Sequence, residues 1–319
     1  MLTFPKKIRV VEVGPRDGLQ SLPQWVETDT KIAMIDALSD CGLAVIEATS
    51  FARPSVVPML KDAELVLERI RRRPGTIYRA LVPNAKGATR AAESRLVDEV
   101  LGLITVSESY LAHNQNMTLD QAIDEGLRAF DIAGNAGIGF TMALGMAMWC
   151  PYEGRVPEAK ALAVLERFWA GGIRRFYFAG SVGMEDPRHV HSLFRQAILR
   201  HPEIELGYHV HNVPGFGVAN LLAAMDAGAS FVEGSICGVG GGIAMPANMG
   251  AVGNLPTEDV VHLLNSCGID CGLDTARVLD CARQVGALLG MAPQSYISHC
   301  GTREELLART ADRAFVHPQ

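Results

Sequence analysis

Short apolar runs rich in β-branched residues alternate with longer stretches of helical periodicity, at a spacing of about thirty residues along the chain. The strand runs are residues 8–13, 43–47, 77–81, 99–106, a run beginning near Ile138, then 173–178, 204–210 and 230–235. Between the first two, Ile32, Ile35 and Leu38 mark one face of a helix that ends near Gly42. Further helices are predicted over 56–72, where Pro74-Gly75 stops the pattern, within 88–95, and over 118–133, 157–169, 187–199 and 217–227. Pro157 suits a first helical turn, which has no amide hydrogen bond to lose. No dipeptide of the Asn-Gly kind sits between alternating runs, so no hairpin is expected.

Strands this apolar, each followed by a helix, indicate a parallel sheet covered by helices. Eight of them favour an α/β fold of the TIM type, a closed (β/α)₈ barrel, over an open doubly wound sheet. The segment after Gly253 is mainly helical (257–264, 275–289 and 303–309) and exceeds what closes a barrel. The expected organisation is one barrel domain over 1–319, with 254–319 as mainly helical C-terminal additions.

Composition narrows the function classes. Of 319 residues, 48% are hydrophobic and 20% charged, enough for a substantial core. The net charge of -6 argues against a nucleic-acid partner. The one dense basic run, Arg69 to Arg73 interrupted by Ile70, reads as the solvated end of an amphipathic helix. The opening Met1-Leu2-Thr3-Phe4-Pro5-Lys6-Lys7 lacks a secretory pattern, and no stretch has the length of a membrane span, so a cytoplasmic protein without a membrane partner is expected. Seven scattered cysteines, an odd number, point to free thiols, and Cys267 and Cys271 have no companion ligand cluster.

In a barrel, chemistry sits where strands run into their following loops. His209 and His211 stand two apart at the end of a strand, so both side chains leave one face toward one centre. Two imidazoles and a carboxylate suit manganese, cobalt or zinc, and an added amide oxygen favours harder ions. Taken alone, the pair serves packing or hydrogen bonding equally well. Asp17, in the loop after the first strand, is the natural carboxylate partner, or else forms an ordinary ion pair with Arg16. Glu12 and Glu47 lie beside apolar strands and must be paired if buried. The run Cys237-Gly238-Val239-Gly240-Gly241-Gly242 follows the last strand and is no dinucleotide fingerprint. Gly240, Gly241 and Gly242 read as a mobile lid or as a tight turn, the lid being favoured because side chains stay small through Ala251. The methionines between Met142 and Trp149 read as core filling.

Several motifs together resemble the hydroxymethylglutaryl-CoA lyase family. They are Glu12-Val13-Gly14-Pro15-Arg16-Asp17-Gly18-Leu19-Gln20, Ile46-Glu47-Ala48-Thr49-Ser50-Phe51, Cys150-Pro151-Tyr152-Glu153-Gly154, His209-x-His211-Asn212 and Gly253-Asn254-x-x-Thr257-Glu258-Asp259. The resemblance implies a metal-dependent carbon–carbon lyase that cleaves a 3-hydroxyacyl-CoA into an acyl-CoA and a keto acid. It implies Asp17, His209, His211 and Asn254 as ligands of a divalent cation, Mg²⁺ or Mn²⁺ ahead of Co²⁺ or Zn²⁺. It further implies Arg16 steadying an enolate oxygen, Glu47 orienting ligands or solvent, and Gln20 and Glu258 supporting that shell. The partner implied is a small acyl-CoA or hydroxy acid, with a homodimer left open.

Two departures stand out. The family's loop cysteine is absent from Gly242-Ile243-Ala244-Met245-Pro246, and the acid of its Gly-Asp-Thr-x-Gly motif is replaced by Gly180 in Ala179-Gly180-Ser181-Val182-Gly183. Gly180 is expected to leave empty space without charge, and the pair of changes suggests a substrate other than hydroxymethylglutaryl-CoA itself. His113, Glu47 or a metal-bound water would then deliver the proton, since Cys237 does not match the family cysteine. The competing readings are an aldolase or condensing enzyme acting on a 2-oxo acid, and a non-catalytic metal-binding relative.

Overall fold

In the computed structural model, which describes residues 2–241 and 253–311, the eight expected strands close into a parallel barrel. They are β1 (Arg9–Glu12), β2 (Val45–Ser50), β3 (Ile77–Val82), β4 (Glu99–Thr105), β5 (Gly139–Gly145), β8 (Arg175–Gly180), β9 (Glu205–Val210) and β10 (Phe231–Gly234). Pairing of β1 with both β2 and β10 closes the ring. A short antiparallel pair, β6 (Trp149–Cys150) with β7 (Gly154–Arg155), follows β5. No hairpin was expected there. The turn is made by Pro151, Tyr152 and Glu153, with Gly154 at φ +73°, and not by a two-residue dipeptide.

The helices are α1 (Thr28–Cys41), α2 (Ala63–Arg69), α3 (Ala85–Ser94), α4 (Glu108–Asn114), α5 (Leu119–Asn135), α6 (Glu158–Ala170), α7 (Pro187–Arg200) and α8 (Gly217–Ala227). After the barrel come α9 (Thr257–Ser266), α10 (Thr275–Leu289), α11 (Tyr296–Cys300) and α12 (Arg303–Ala311), and α10 packs on α1. Local chemistry sets several boundaries. Gly42 ends α1 at φ +98°, which costs a glycine little. Thr118 and Gln121 form a reciprocal capping box at the start of α5.

The helix expected over 56–72 is mostly not one. Pro58 lacks an amide and pushes Val57 out of the helical region (φ -126°, ψ 74°), leaving a 3₁₀ turn at Pro58–Leu60 before α2. The basic run therefore lies largely beyond the helix end, where Arg71 and Arg73 pair with Asp36 and Asp40, and Arg72 with Asp98. The seven cysteines are free thiols. Among the described residues no helix is long and apolar enough to cross a membrane.

The large apolar core lies between barrel and helices, and Met142 and Met148 belong to it. Inside the barrel an apolar layer that includes Val11, Val45, Leu101, Tyr177 and Phe231 is threaded by charges. Strand register sets Glu47, Arg79 and Glu99 side by side on β2, β3 and β4, and Glu233 beside His209 on β10 and β9. Arg79, 1% exposed, donates from Nε to Glu99 (2.7 Å) and from Nη1 to Glu233 (2.8 Å), with Glu47 Oε2 at 3.9 Å. Toward the strand N-termini, Arg175 bridges Glu99 and Glu205, and Arg9 pairs with Glu205. These carboxylates can stay inside only because they are paired.

Replacing Arg79 by methionine keeps most of the volume and strands the buried acids, so we expect a loss of about 3–5 kcal/mol. Denaturant unfolding of purified Arg79→Met checks this. A loss under about 1 kcal/mol would show that the acids tolerate the missing cation.

Candidate functional site

At the end of β1 the chain makes one π-helical turn, Gly14–Gly18, in which the Val13 carbonyl accepts from the amides of Asp17 (2.7 Å) and Gly18 (3.3 Å). The turn places Arg16 and Asp17 at the barrel mouth. It needs its glycines. A β-carbon on Gly14 would stand 2.7 Å from Glu12 Oε1, and one on Gly18 would stand 3.0 Å from the Val239 carbonyl. Glu12, fully buried, accepts from the Gly14 amide (2.7 Å), the Ile236 amide (2.9 Å) and the Thr257 hydroxyl (2.5 Å). One carboxylate thus ties β1 to the end of β10 and the start of α9. Burial pushes it up to about 8, against the pull of Thr257 and the two amides.

His209 and His211 lie at the C-terminal end of β9. His209 Nδ1 is 3.0 Å from Glu233 Oε2, and His211 Nδ1 is 2.7 Å from the Ser181 carbonyl. A carbonyl only accepts, so His211 Nδ1 carries the proton, and the carboxylate draws the same tautomer from His209. In the neutral rings each Nε2 then presents a lone pair, and the two face each other at 3.0 Å, with Asp17 Oδ2 3.7 Å from His211 Nε2. Two lone pairs meeting beside a carboxylate form a donor set that suits a cation. Among the described residues this is the one group of three His, Cys, Asp or Glu side chains so arranged, its ligand atoms lying within 4.8 Å of one another.

Asn254, bridged to His211 by backbone pairing, donates from Nδ2 to Asp17 Oδ2 at 2.8 Å. Gln20 donates to Asp17 Oδ1 at 2.7 Å. Arg16 pairs through Nη1 with Asp17 (2.8 Å) and through Nε with Glu47. Burial alone would raise Asp17, but the Arg16 guanidinium beside it and a contact with His211 hold it well below the usual carboxylate range. Burial likewise opposes the charge on Arg16, and Glu47 and Asp17 more than offset it, so the guanidinium stays cationic. Glu47, fully buried, is raised by that burial in spite of Arg16. Arg16, Asp17, Gln20, His209 and His211 share a cavity of about 280 Å³ with the apolar side chains of Val57, Leu81, Leu103 and Met146, while Glu47 and Asn254 stand behind its wall.

The other expected residues fall at different depths. Glu258 is buried on α9 and accepts from the Cys237 amide (3.1 Å), a step away from Asp17, and burial raises it to about 7. His113 is exposed on α4, stacked on the Tyr152 ring at 4.5 Å and outside the cavity wall. It is not placed to deliver a proton there. Gly240 (φ +85°) packs so closely on Gly18 that no side chain would fit, and the Gly241 amide donates to Ser21 Oγ (3.1 Å). Of the lid expected at Gly240, Gly241 and Gly242, the last residue lies outside the described residues, as does the stretch without cysteine.

The space expected to be empty at Gly180 is filled. A β-carbon there would fall inside van der Waals contact of the Glu185 carboxylate, 2.8 Å from its Cδ. One of the two grounds for expecting a changed substrate is thereby removed. Sequence reasoning passed over Arg79, Glu233 and Ser181, which support the site from behind, and Glu185, which fills the space beside Gly180. For Arg79 and Glu233 there was a signal, since opposite charges inside otherwise apolar strand runs announce a buried pair. For Ser181, which acts through its carbonyl, there was none.

The HMGL-like family model matches residues 7–285. The chain is 36% identical over 280 residues to the mitochondrial hydroxymethylglutaryl-CoA lyase of Mus musculus, covering 88% of this chain and 85% of that protein. It is 32% identical over 289 residues to hydroxymethylglutaryl-CoA lyase YngG of Bacillus subtilis, covering 91% and 95%. Among solved structures, an HMG-CoA lyase from Acinetobacter baumannii in complex with coenzyme A and 3-methylmalate superposes with a TM-score of 0.88 at 32% identity, over 100% of both chains.

Glu12 generates a pH prediction. A carboxyl raised from 4.5 unfolded to about 8 folded contributes stability that is present below pH 4.5 and lost as pH rises through 8. Thermal melts from pH 5 to 9 should therefore show the unmodified protein losing more stability than Glu12→Gln, which cannot ionise. Equal slopes for the two proteins would mean that Glu12 is ionised throughout.

Proposed function

Because this chain belongs to the HMGL-like family, whose members are metal-dependent carbon–carbon lyases, we propose that it cleaves a branched 3-hydroxyacyl-CoA of the hydroxymethylglutaryl-CoA type into an acyl-CoA and a keto acid. The observation that carries the reading is the meeting of the two Nε2 lone pairs with Asp17, beside the Arg16 guanidinium, at the floor of the mouth cavity. The relatives' names and the acyl carrier in the neighbouring structure's complex support the substrate class.

Asp17, His209 and His211 would hold a divalent cation, with Asn254 joining them once its amide turns over to present oxygen where nitrogen now faces Asp17. When bound, such a cation makes the substrate's 3-hydroxyl easier to deprotonate. Gln20 and Arg16 hold Asp17 Oδ1, which leaves Oδ2 turned toward the imidazoles. A base takes the hydroxyl proton, that carbon becomes a ketone as its C–C bond breaks, and the bonding pair passes to the thioester fragment as an enolate, whose carbon takes up a proton in turn. Arg16, held charged and in place by Glu47, puts fixed positive charge beside that oxygen without reorganisation. The wall of Val57, Leu81, Leu103 and Met146 takes the acyl branch and keeps water from the enolate until it is protonated. Glu258 supports the site indirectly, by pinning the Cys237 amide behind the turn that leads to Gly240.

Two variants separate the roles. His209→Ala removes one ligand nitrogen and should weaken Mn²⁺ binding at least about tenfold by calorimetry. Arg16→Lys keeps the charge and loses the rigid fork, so Mn²⁺ binding should persist while kcat falls about 10²- to 10³-fold. With Mn²⁺ present, branched 3-hydroxyacyl-CoAs, hydroxymethylglutaryl-CoA among them, should be cleaved and free hydroxy acids left intact. Turnover of the free acids alone, or undiminished Mn²⁺ affinity in His209→Ala, would refute this reading.

A further inference from the structure

Tyr177 and Ala179 face the barrel interior, so Gly180 at the end of β8 faces the layer between barrel and helices. Glu185 reaches back into that place from the loop that follows the strand. Glu185 is 2% exposed, and its Oε1 accepts from the Tyr208 hydroxyl at 2.7 Å. Asn220 Nδ2 donates to its backbone carbonyl at 2.9 Å. Where a β-carbon on Gly180 would stand, Tyr208 Oη is 3.1 Å away. An acid borne by residue 180 and the acid borne by residue 185 would thus claim the same space and the same hydroxyl.

The chain between these two residues wraps His211. The Gly180 carbonyl accepts from the amides of Gly183 (3.0 Å) and His211 (3.4 Å). The Ser181 carbonyl accepts from His211 Nδ1 at 2.7 Å, and Ser181 Oγ accepts from the Met146 amide at 3.0 Å. Gly183, at φ +72°, approaches the His211 backbone so closely that a β-carbon would stand 2.5 Å from its carbonyl oxygen. The direction of the His211 ring is therefore set by a loop whose far end is fixed by Glu185.

We propose that Glu185 is a positioning residue: anchored on Tyr208 in the space that glycine leaves at 180, it holds the Ser181 carbonyl against His211 Nδ1 and so keeps His211 Nε2 turned toward Asp17 and His209. The inference rests on the reading of His211 as a metal ligand. It makes glycine at 180 and glutamate at 185 a matched pair. The carboxylate can come from the strand or from the loop, but not from both.

The test is Mn²⁺ titration by calorimetry of the full-length protein, Glu185→Gln, Glu185→Gly, Gly180→Asp, and the double variant Gly180→Asp/Glu185→Gly, with a thermal melt of each. Glu185→Gln keeps an oxygen for Tyr208 and should bind Mn²⁺ within about twofold of the unmodified protein, while Glu185→Gly should bind about tenfold or more weakly. Gly180→Asp forces two carboxylates together and should melt lower and bind as weakly. The double variant restores a single acid and should recover affinity to within about threefold, a coupling that independent defects would not give. Should Glu185→Gly fail to fold, comparison of the double variant with Gly180→Asp decides the matter, since only a matched pair predicts recovery. The inference is overturned if Glu185→Gly binds Mn²⁺ as the unmodified protein does, or if the double variant is no better than the weaker single. If the unmodified protein itself does not bind Mn²⁺, the metal reading fails and this inference with it; a protein that binds while the variants add sinks the inference alone.

Discussion

A single guanidinium inside the barrel, that of Arg79, is the constraint on which the functional end depends. Charged groups leave water at a cost of several kcal/mol each, so acids inside a barrel persist only where cations meet them with good geometry. Arg79 meets Glu99 and Glu233 directly and stands near Glu47. Two of those acids face the mouth, Glu233 orienting His209 and Glu47 orienting Arg16. Arg16 and His209 are thus each held by a partner one layer deeper, and both partners converge on one side chain. A site built in this way gains direction more than stability, because apolar side chains could fill the same volume at less cost.

The mouth is held together differently, by backbone and by close approach. The donor set draws on the loop after β1, the end of β9 and the strap before α9, segments far apart in sequence. From beneath, Glu12 ties the loop after β1 to the segment after β10 and to the start of α9, and the glycines at 14, 18 and 240 allow the strands' outgoing loops to touch without intervening side chains. A cation bound by Asp17, His209 and His211 would cross-link these segments from above. Binding there stabilises the folded barrel by mass action as well as serving chemistry.

Gly180 shows how a one-position comparison can mislead. Read along the chain, the acid is missing. In space a carboxylate is present, carried by Glu185 on the following loop and bonded to Tyr208. What a packed site constrains is the occupant of a volume and the partner of a hydroxyl, and either of two backbone positions can supply both.

The sequence by itself determined the eight strands, their alternation with helices and the pairing of His209 with His211 on one face. These follow from local rules: apolar periodicity distinguishes strand from helix, and side chains two apart on a strand share a face. It also carried the proline that breaks the stretch after Val56, although the helical pattern around Pro58 masked it. Only the tertiary structure decided which inward residues meet. Arg79 finds Glu99 and Glu233, Glu12 finds Ile236 and Thr257, and Glu185 finds the space beside Gly180. The reason is physical. Those contacts depend on strand register around a closed ring and on where loops land over it, and both are fixed by packing among segments that no local pattern connects.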